Sequence, residues 1–305
     1  MNSSMNADQL ASFLGQHAIA LLLFGFVLML GATLLFWNFL DRNAQRFWQA
    51  GAKVWSKILS LSVVTRFRER FPRLWNTVGR RFAPEGYLGL HFTIAVCVLL
   101  IAANCFLMLA DKVGEQDRLV EFDRVLSLTL HQYSSLRIVR IFDVITDFGN
   151  VVALGCIGLI VVVILAAQRR LQLLGIWVVA LLGTAFLNQT LKNIFHRVRP
   201  QLMNPWINEP GWGFPSGHAM GSLVVYGMLA YTVGLMVKNR AIRIGLIFLA
   251  VSLVIAVGFS RIYLGAHYFS DVIAGYCAAS FWLAICISGN EIARRHHRRD
   301  SARER

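Results

Sequence analysis

Acidic residues are scarce in this chain: 16 Asp and Glu stand against 30 Lys and Arg, a formal net charge of +14 over 305 residues. A high basic balance often marks nucleic-acid binding. Here no stretch has the composition of a basic soluble domain, so nothing exists to carry that function. Cysteine is sparse as well. Cys97, Cys105, Cys156, Cys277 and Cys286 all fall inside apolar runs, and none forms a Cys-x-x-Cys pair. That excludes a disulfide framework and a cysteine metal site, and the five are expected to be small buried hydrophobes. Residues 1–17 hold no Lys or Arg. They lack the positive segment that precedes the apolar run of a secretory signal, so the run after them is expected to be a retained membrane helix. No internal repeat of fixed period is present, nor the matched pair of broken helices common in transporters.

What the chain does have is apolar length. Hydrophobic residues make up 56% of it and the mean hydropathy is +0.56, above the range of soluble proteins. Seven runs are long enough to be read as membrane spans: about 18–40, 88–110, 151–167, 171–191, 220–237, 244–258 and 269–288. The basic residues cluster between them, at 41–86, 168–170, 238–243 and 294–305. Seven crossings put all these clusters on one side, which the positive-inside rule makes the cytoplasmic one. The N-terminus is then outside and the C-terminus inside. The expected architecture is all-α, a polytopic membrane helical bundle. Within residues 41–86, basic residues such as Arg66 and Arg70 are interleaved with Trp48, Trp55 and Phe67. This fits amphipathic helices on an anionic inner leaflet or a solvated linker. Residues 111–147 are mixed in charge and suit an outside loop with short interfacial helices.

Charged and polar residues at a membrane edge are costly unless they bind or react. Three such segments fall on the outer side. Lys192 to Pro200 reads Lys-Asn-Ile-Phe-His-Arg-Val-Arg-Pro, with Lys192 and Arg199 as paired cations before Pro200. Lys192 as a snorkelling helix end, with Arg199 on lipid headgroups, is the bland alternative. Pro215-Ser216-Gly217-His218 opens the fifth span. Ser216 or a neighbour can cap that helix, Gly217 lets backbone approach a ligand, and free N–H groups at a helix start attract anions. Ser260 to Asp271 carries Arg261, His267 and Asp271. His267 and Asp271 are four apart, so on one helical face Asp271 can hold one ring nitrogen and leave the other as a nucleophile. His196 and Arg197 receive only a structural reading. Asp143 and Asp147 are expected to cap the third span, and Trp206 and Trp212 to belong to an aromatic belt or a lipid entrance.

Together the segments resemble the signature of the type 2 phosphatidic acid phosphatase family, within a superfamily that includes vanadium haloperoxidases. That signature is K-x6-R-P, then P-S-G-H, then S-R-x5-H-x3-D. Every defined position is present, at Lys192, Arg199, Pro200, Pro215, Ser216, Gly217, His218, Ser260, Arg261, His267 and Asp271. The resemblance implies a six-helix phosphatase core over residues 87–290. Outside it lie an extra N-terminal transmembrane helix (1–40), a basic cytoplasmic segment (41–86) and a basic tail (291–305). It also implies His267 as nucleophile, Asp271 as its orienting group and His218 as general acid and base. Lys192, Arg199, Ser216, Gly217 and Arg261 would bind phosphate, with no metal and no cofactor. The implied substrate is a lipid phosphate or diphosphate at the outer face of a bacterial inner membrane. Phosphatidic acid, phosphatidylglycerol phosphate and undecaprenyl diphosphate all present the same terminal group, and so does lipid A, whose phosphatase or phosphotransferase would use the same site. A haloperoxidase fits poorly, because those enzymes are typically soluble. A lipid transporter or non-catalytic lipid-binding protein would not need nucleophile, orienter, acid and clamp together.

Overall fold

The computed structural model describes residues 7–33, 35, 53, 56–57, 60–72, 75, 87–114, 118–200 and 210–303. Every regular element among them is an α-helix: α1 (Ala7–Gln16), α2 (Ala18–Thr33), α3 (Ser62–Arg70), α4 (Tyr87–Gly114), α5 (Arg118–Gln132), α6 (Leu136–Asp147), α7 (Val151–Ala167), α8 (Leu171–Phe195), α9 (Gly217–Met236), α10 (Arg240–Tyr263) and α11 (Phe269–Arg303). The chain is a multi-pass membrane protein. Six helical stretches are long and apolar enough to cross a bilayer: Ile94–Val113, Leu136–Ala167, Leu171–Phe195, Gly217–Met236, Arg240–Tyr263 and Phe269–Arg294. They match the second to seventh runs read from the sequence. The first run is helical as α2, which meets α1 at a bend of 79°. Only the two joined through that bend would make a seventh crossing.

The described residues within 1–26 and 101–305 form one compact unit, and those within 27–100 a second. In the second, Phe67 of α3 meets Phe71 at the helix end, ring centroids 5.2 Å apart and the planes tilted by 46°. Most of the remaining 41–86 segment lies outside the described residues, as does Trp206.

In the first unit α9 is central. Of its membrane window, 44% is buried inside the protein, against 17% for α10. It packs against α7, α8, α10 and α11, and its Met220, Val224 and Met228 close around Trp177 of α8 and Ala279 of α11. The Trp177 Nε1–H donates to Thr232 Oγ1 at 2.8 Å, which satisfies the one polar atom of a fully buried indole. The basic turn at 168–170 is tight because Arg169 takes a left-handed conformation, φ 54°. At the far end of α8, His196 does the same at φ 46° and ends the helix before Arg197.

Two readings need correction. Asn150, not Asp143 or Asp147, caps α7: its side chain accepts from the Val152 N–H at 2.9 Å. Asp147 instead lies in the last turn of α6. Cys286 is buried, but Cys97, Cys105 and Cys156 lie on exposed helix surfaces. Lipid is as apolar as a protein core, so a small hydrophobe in a spanning helix has no need to face inward. The polar start of the chain folds as α1 and packs on α5. Ala11 is fully buried there, and Gly15 lies so close to Thr129 that a Cβ would sit 2.6 Å from its methyl. Small residues on one face of a short helix carry this contact, and composition alone does not reveal it.

The start of α9 is pressed against α11 at Gly275. A Cβ on Gly275 would stand 2.8 Å from the Ser216 carbonyl oxygen and 3.2 Å from Ala219 Cβ. Backbone cannot yield as a flexible side chain can. Gly275→Ala is expected to destabilise the fold by about 1–3 kcal/mol, read as a lower melting temperature of detergent-purified protein by tryptophan fluorescence. An unchanged melting temperature would show that the contact is looser than this.

Candidate active site

The three motif segments meet at one end of the bundle, at the starts of α9 and α11 and the ends of α8 and α10. Their backbones are tied together. The Ser216 N–H donates to the Asp271 carbonyl oxygen at 2.9 Å, joining Pro-Ser-Gly-His to the His-x3-Asp turn. The Gly213 N–H donates to the Arg197 carbonyl at 2.7 Å, joining the same loop to the end of the first motif. The N–H groups of Ala266 and His267 both donate to the Arg261 carbonyl, at 3.0 and 3.2 Å. The loop from α10 to α11 therefore folds back on the helix end that carries Arg261.

His267 is 1% exposed. Its Nε2 lies 3.1 Å from Arg199 Nη1, and the same guanidinium nitrogen donates to the Ala266 carbonyl at 3.0 Å. Its Nδ1 lies 3.6 Å from Asp271 Oδ2. That is ion-pair range, longer than a hydrogen bond. An arginine has only donors to offer, so an imidazole in contact with Arg199 through Nε2 carries its proton on Nδ1, toward Asp271. Asp271 Oδ2 also accepts the Tyr268 N–H at 2.9 Å. A carboxylate three residues on, bonding back to the N–H that opens the helix, is a capping-box geometry. The four-residue spacing predicted from sequence thus places the carboxylate beside the ring, and it simultaneously caps α11.

Ser216 is fully buried and occupies the cap position of α9, yet its hydroxyl makes no cap bond. Its Oγ has no protein hydrogen-bond partner among the described residues. A buried hydroxyl in that state is an exception that calls for a ligand or a water. Gly217 follows directly, and a Cβ there would stand 3.1 Å from Asn188 Oδ1. Asn188 and Lys192 are one helical turn apart on α8, so the face that carries Lys192 is the face turned to the start of α9. Lys192 itself is half-buried in the last turn of α8.

His218 and Arg261 share a neighbour that sequence analysis left out, the turn from α6 to α7. Arg261, 3% exposed, donates from Nη1 to Thr146 Oγ1 at 2.9 Å. A Cβ on Gly149 would sit 3.1 Å from His218 Cδ2 and 2.4 Å from Val257. Glycine at 149 is what lets this turn lie flat against the imidazole.

Two charged residues given only a structural reading, or none, also converge here. Arg197 donates from Nη1 to Asp271 Oδ1 at 2.5 Å and to Ser270 Oγ at 2.7 Å, and from Nη2 to Asp123 Oδ2 at 2.9 Å. Asp123, from α5, is 1% exposed. It accepts the Ser270 N–H at 3.1 Å and a short bond from the Ser270 hydroxyl. Burial pushes the Asp123 carboxyl above its usual range, and the Ser270 and Arg197 bonds pull it only part of the way back. Burial works against the Arg197 charge too, but Asp271 and Asp123 outweigh it and hold the guanidinium above its ordinary range. No sequence signal separates the two arginines: in extended chain residues two apart point to the same side, and only the packing of Arg197 on Asp123 and Asp271 sets it apart from Arg199.

Residues 173–294 match the PAP2 superfamily, and every sequence-nominated site residue from Lys192 to Asp271 lies within that range. Phosphatidylglycerophosphatase B of Bacillus subtilis (strain 168) is 33% identical over 104 residues, 33% of this chain and 51% of the relative. The chain thus spans about half the length of that curated relative. The crystal structure of a transmembrane PAP2 type phosphatidylglycerolphosphate phosphatase from Bacillus subtilis resembles this one with a TM-score of 0.52 and 25% identity, over 65% of this chain and 96% of the other. Sequence match, helical architecture and converging motifs coincide: the chain carries a domain of the PAP2 superfamily.

Proposed function

We propose that the chain is a membrane phosphatase that hydrolyses the terminal phosphate of a lipid phosphate or diphosphate through a phosphohistidine intermediate. One observation carries this reading: the buried His267 ring has Arg199 against Nε2 at 3.1 Å and Asp271 facing Nδ1 at 3.6 Å. An arriving phosphate competes for Arg199 and draws the guanidinium onto its own oxygens. That uncovers the Nε2 lone pair in line with phosphorus. Nε2 then forms the N–P bond as the P–O bond to the lipid breaks, and His218 gives its proton to the departing oxygen. Asp271 stabilises the positive charge that appears on the ring. In the second step His218 takes a proton from water, the water oxygen attacks phosphorus, and the P–N bond breaks to return His267 and release phosphate.

Phosphoryl transfer depends mostly on positioned charge. Lys192, Arg199 and Arg261 supply it, assisted by the Ser216 hydroxyl and the Gly217 N–H at the positive end of α9. In this reading three fixed cations do what magnesium does elsewhere. The substrate class follows from a site at the ends of membrane helices, at headgroup depth. The names of the two Bacillus subtilis relatives place phosphatidylglycerol phosphate first among the candidates, ahead of phosphatidic acid and undecaprenyl diphosphate. The basic turns at 168–170 and 238–243 put the opposite end of the bundle on the cytoplasmic side. The site then faces outward from a bacterial inner membrane, with the basic C-terminal tail inside. Residues 87–290 form the catalytic core in this proposal. Residues 1–40 add a further crossing, and the 41–86 segment lies at the inner leaflet.

Phosphate release from detergent-solubilised protein, assayed over a panel of lipid phosphates and diphosphates, tests the reading. His267→Ala is expected to abolish release. Arg199→Ala is expected to slow it by about 10²–10³-fold, the usual effect of removing one donor from such a clamp. Turnover by His267→Ala, or no release by the parent protein on any of these lipids, would refute the proposal.

Metal independence is a separate expectation. Activity should persist in excess EDTA and fall with added vanadate, which mimics phosphate. Loss of activity in EDTA, restored by magnesium, would replace the three-cation account with a metal-assisted one.

A further inference from the structure

We infer that Arg197 and Asp123 are positioning residues for the phosphatase reaction, forming a buried brace that fixes the rotation of the Asp271 carboxylate. The inference rests on the phosphatase reading above and deepens it. Its core is the division of labour on Asp271. Oδ1 is taken by Arg197 at 2.5 Å, and Oδ2 faces His267 at 3.6 Å while accepting the Tyr268 N–H at 2.9 Å. A carboxylate held at both oxygens cannot swing away from the imidazole. Arg197 is held in turn. Its second nitrogen donates to Asp123, and its guanidinium stacks over the Tyr268 ring, 4.6 Å from the centroid. Asp123 is fixed by both the N–H and the hydroxyl of Ser270. The result is a closed circuit, Asp123–Arg197–Asp271, with Ser270 bonded to both Asp123 and Arg197.

Nothing in this circuit touches the position assigned to phosphate. Arg197 and Arg199 engage different groups, Arg199 reaching Gly211, Ala266 and His267. Asp123 sits on α5, outside the 173–294 match. The charged and titratable groups that face Asp271 are Arg197 and Arg199 from the segment after α8, His267 and Tyr268 from the loop before α11, and Asp123 from α5 beyond the Arg197 fork. Two carboxylates at this depth with one guanidinium between them leave one net negative charge. That charge matches the imidazolium-like state of His267 in the intermediate. A fork that bonds two carboxylates at once needs arginine, since an ammonium is a point charge without fixed directions.

The test is a kinetic split on full-length protein in detergent. Arg197→Gln is expected to lower kcat by about 100-fold, the scale of a small misplacement of a reacting group. KM for the lipid and the inhibition constant of inorganic phosphate should stay within about threefold, because the phosphate clamp is intact. Arg197→Lys, which keeps the charge but loses the fork, should recover about a tenth of parent kcat. Asp123→Asn, which keeps an oxygen for Ser270 but removes the charge, should fall about tenfold in kcat alone. A kcat within twofold of parent in all three variants would overturn the brace. So would a rise in KM and in the phosphate inhibition constant matching the fall in kcat, which would place Arg197 in the clamp. Should Arg197→Gln fail to fold, the other two variants are judged by the same criteria. A parent protein without activity would refute the phosphatase reading, whereas an active parent with indifferent variants would refute only the brace.

Discussion

The carboxylate of Asp271 is the constraint on which the rest of this site depends. A fully buried carboxylate in a membrane protein is tolerable only if its charge is met and its lone pairs are filled. Here Arg197 meets the charge at 2.5 Å, and the Tyr268 N–H fills a lone pair at 2.9 Å. The backbone of the same residue accepts the Ser216 N–H at 2.9 Å. One residue therefore caps α11, orients the His267 ring and holds the start of α9 in place. Separate segments of chain are brought into register by hydrogen bonds short enough to allow little slack.

That register has an electrostatic consequence. The N-terminal ends of α9 and α11 both open onto the same region, and each carries exposed backbone donors and the positive end of its helix dipole. At α11 the donors are consumed internally, the Ser270 N–H by Asp123 and the Tyr268 N–H by Asp271. At α9 the cap side chain is idle, and Ser216 leaves both its hydroxyl and the helix start to something else. The two helices look alike in sequence position but divide the work: one is closed by protein carboxylates, and the other remains open to an anion. Lys192 on the adjoining face of α8 adds a positive charge beside the open one.

Much of this was legible in the sequence. The six candidate crossings of the helical bundle follow from apolar run length. Spacing alone accounts for His267 and Asp271, four apart on one turn, whereas the resemblance of the three motifs is what brought Ser216 and Arg199 to the same place. What could not be read was tertiary. Asp123 lies on a helix of mixed charge, beside Glu121 and Arg124, which pair with each other at 2.7 Å in solvent. Two acids two residues apart on one helix have opposite fates, and only packing distinguishes them. Arg197 receives only a structural reading from sequence because it falls between defined motif positions. Asn150 replaced two aspartates as the cap of α7 because capping depends on where the preceding helix ends, and boundaries are less legible than periods.

The helices that precede the matched domain are therefore not mere scaffolding. Residues 173–294 include every side chain assigned to phosphate, yet two of its buried arginines find partners outside it. Arg197 is met by Asp123 of α5, and Arg261 by Thr146 of α6. Removing one partner from a buried ion pair costs about 3–5 kcal/mol, because the charge left behind is still desolvated. A chain cut to the matched residues would expose Arg197 to that penalty and leave the Arg261 guanidinium without its Thr146 bond. The smallest unit that satisfies its own charges begins before Arg118. Since α1 packs its small residues on α5, the N-terminal helix bears on the element that supplies Asp123. The segment that looked most peripheral in sequence thus packs on the helix that carries Asp123, the buried partner of Arg197.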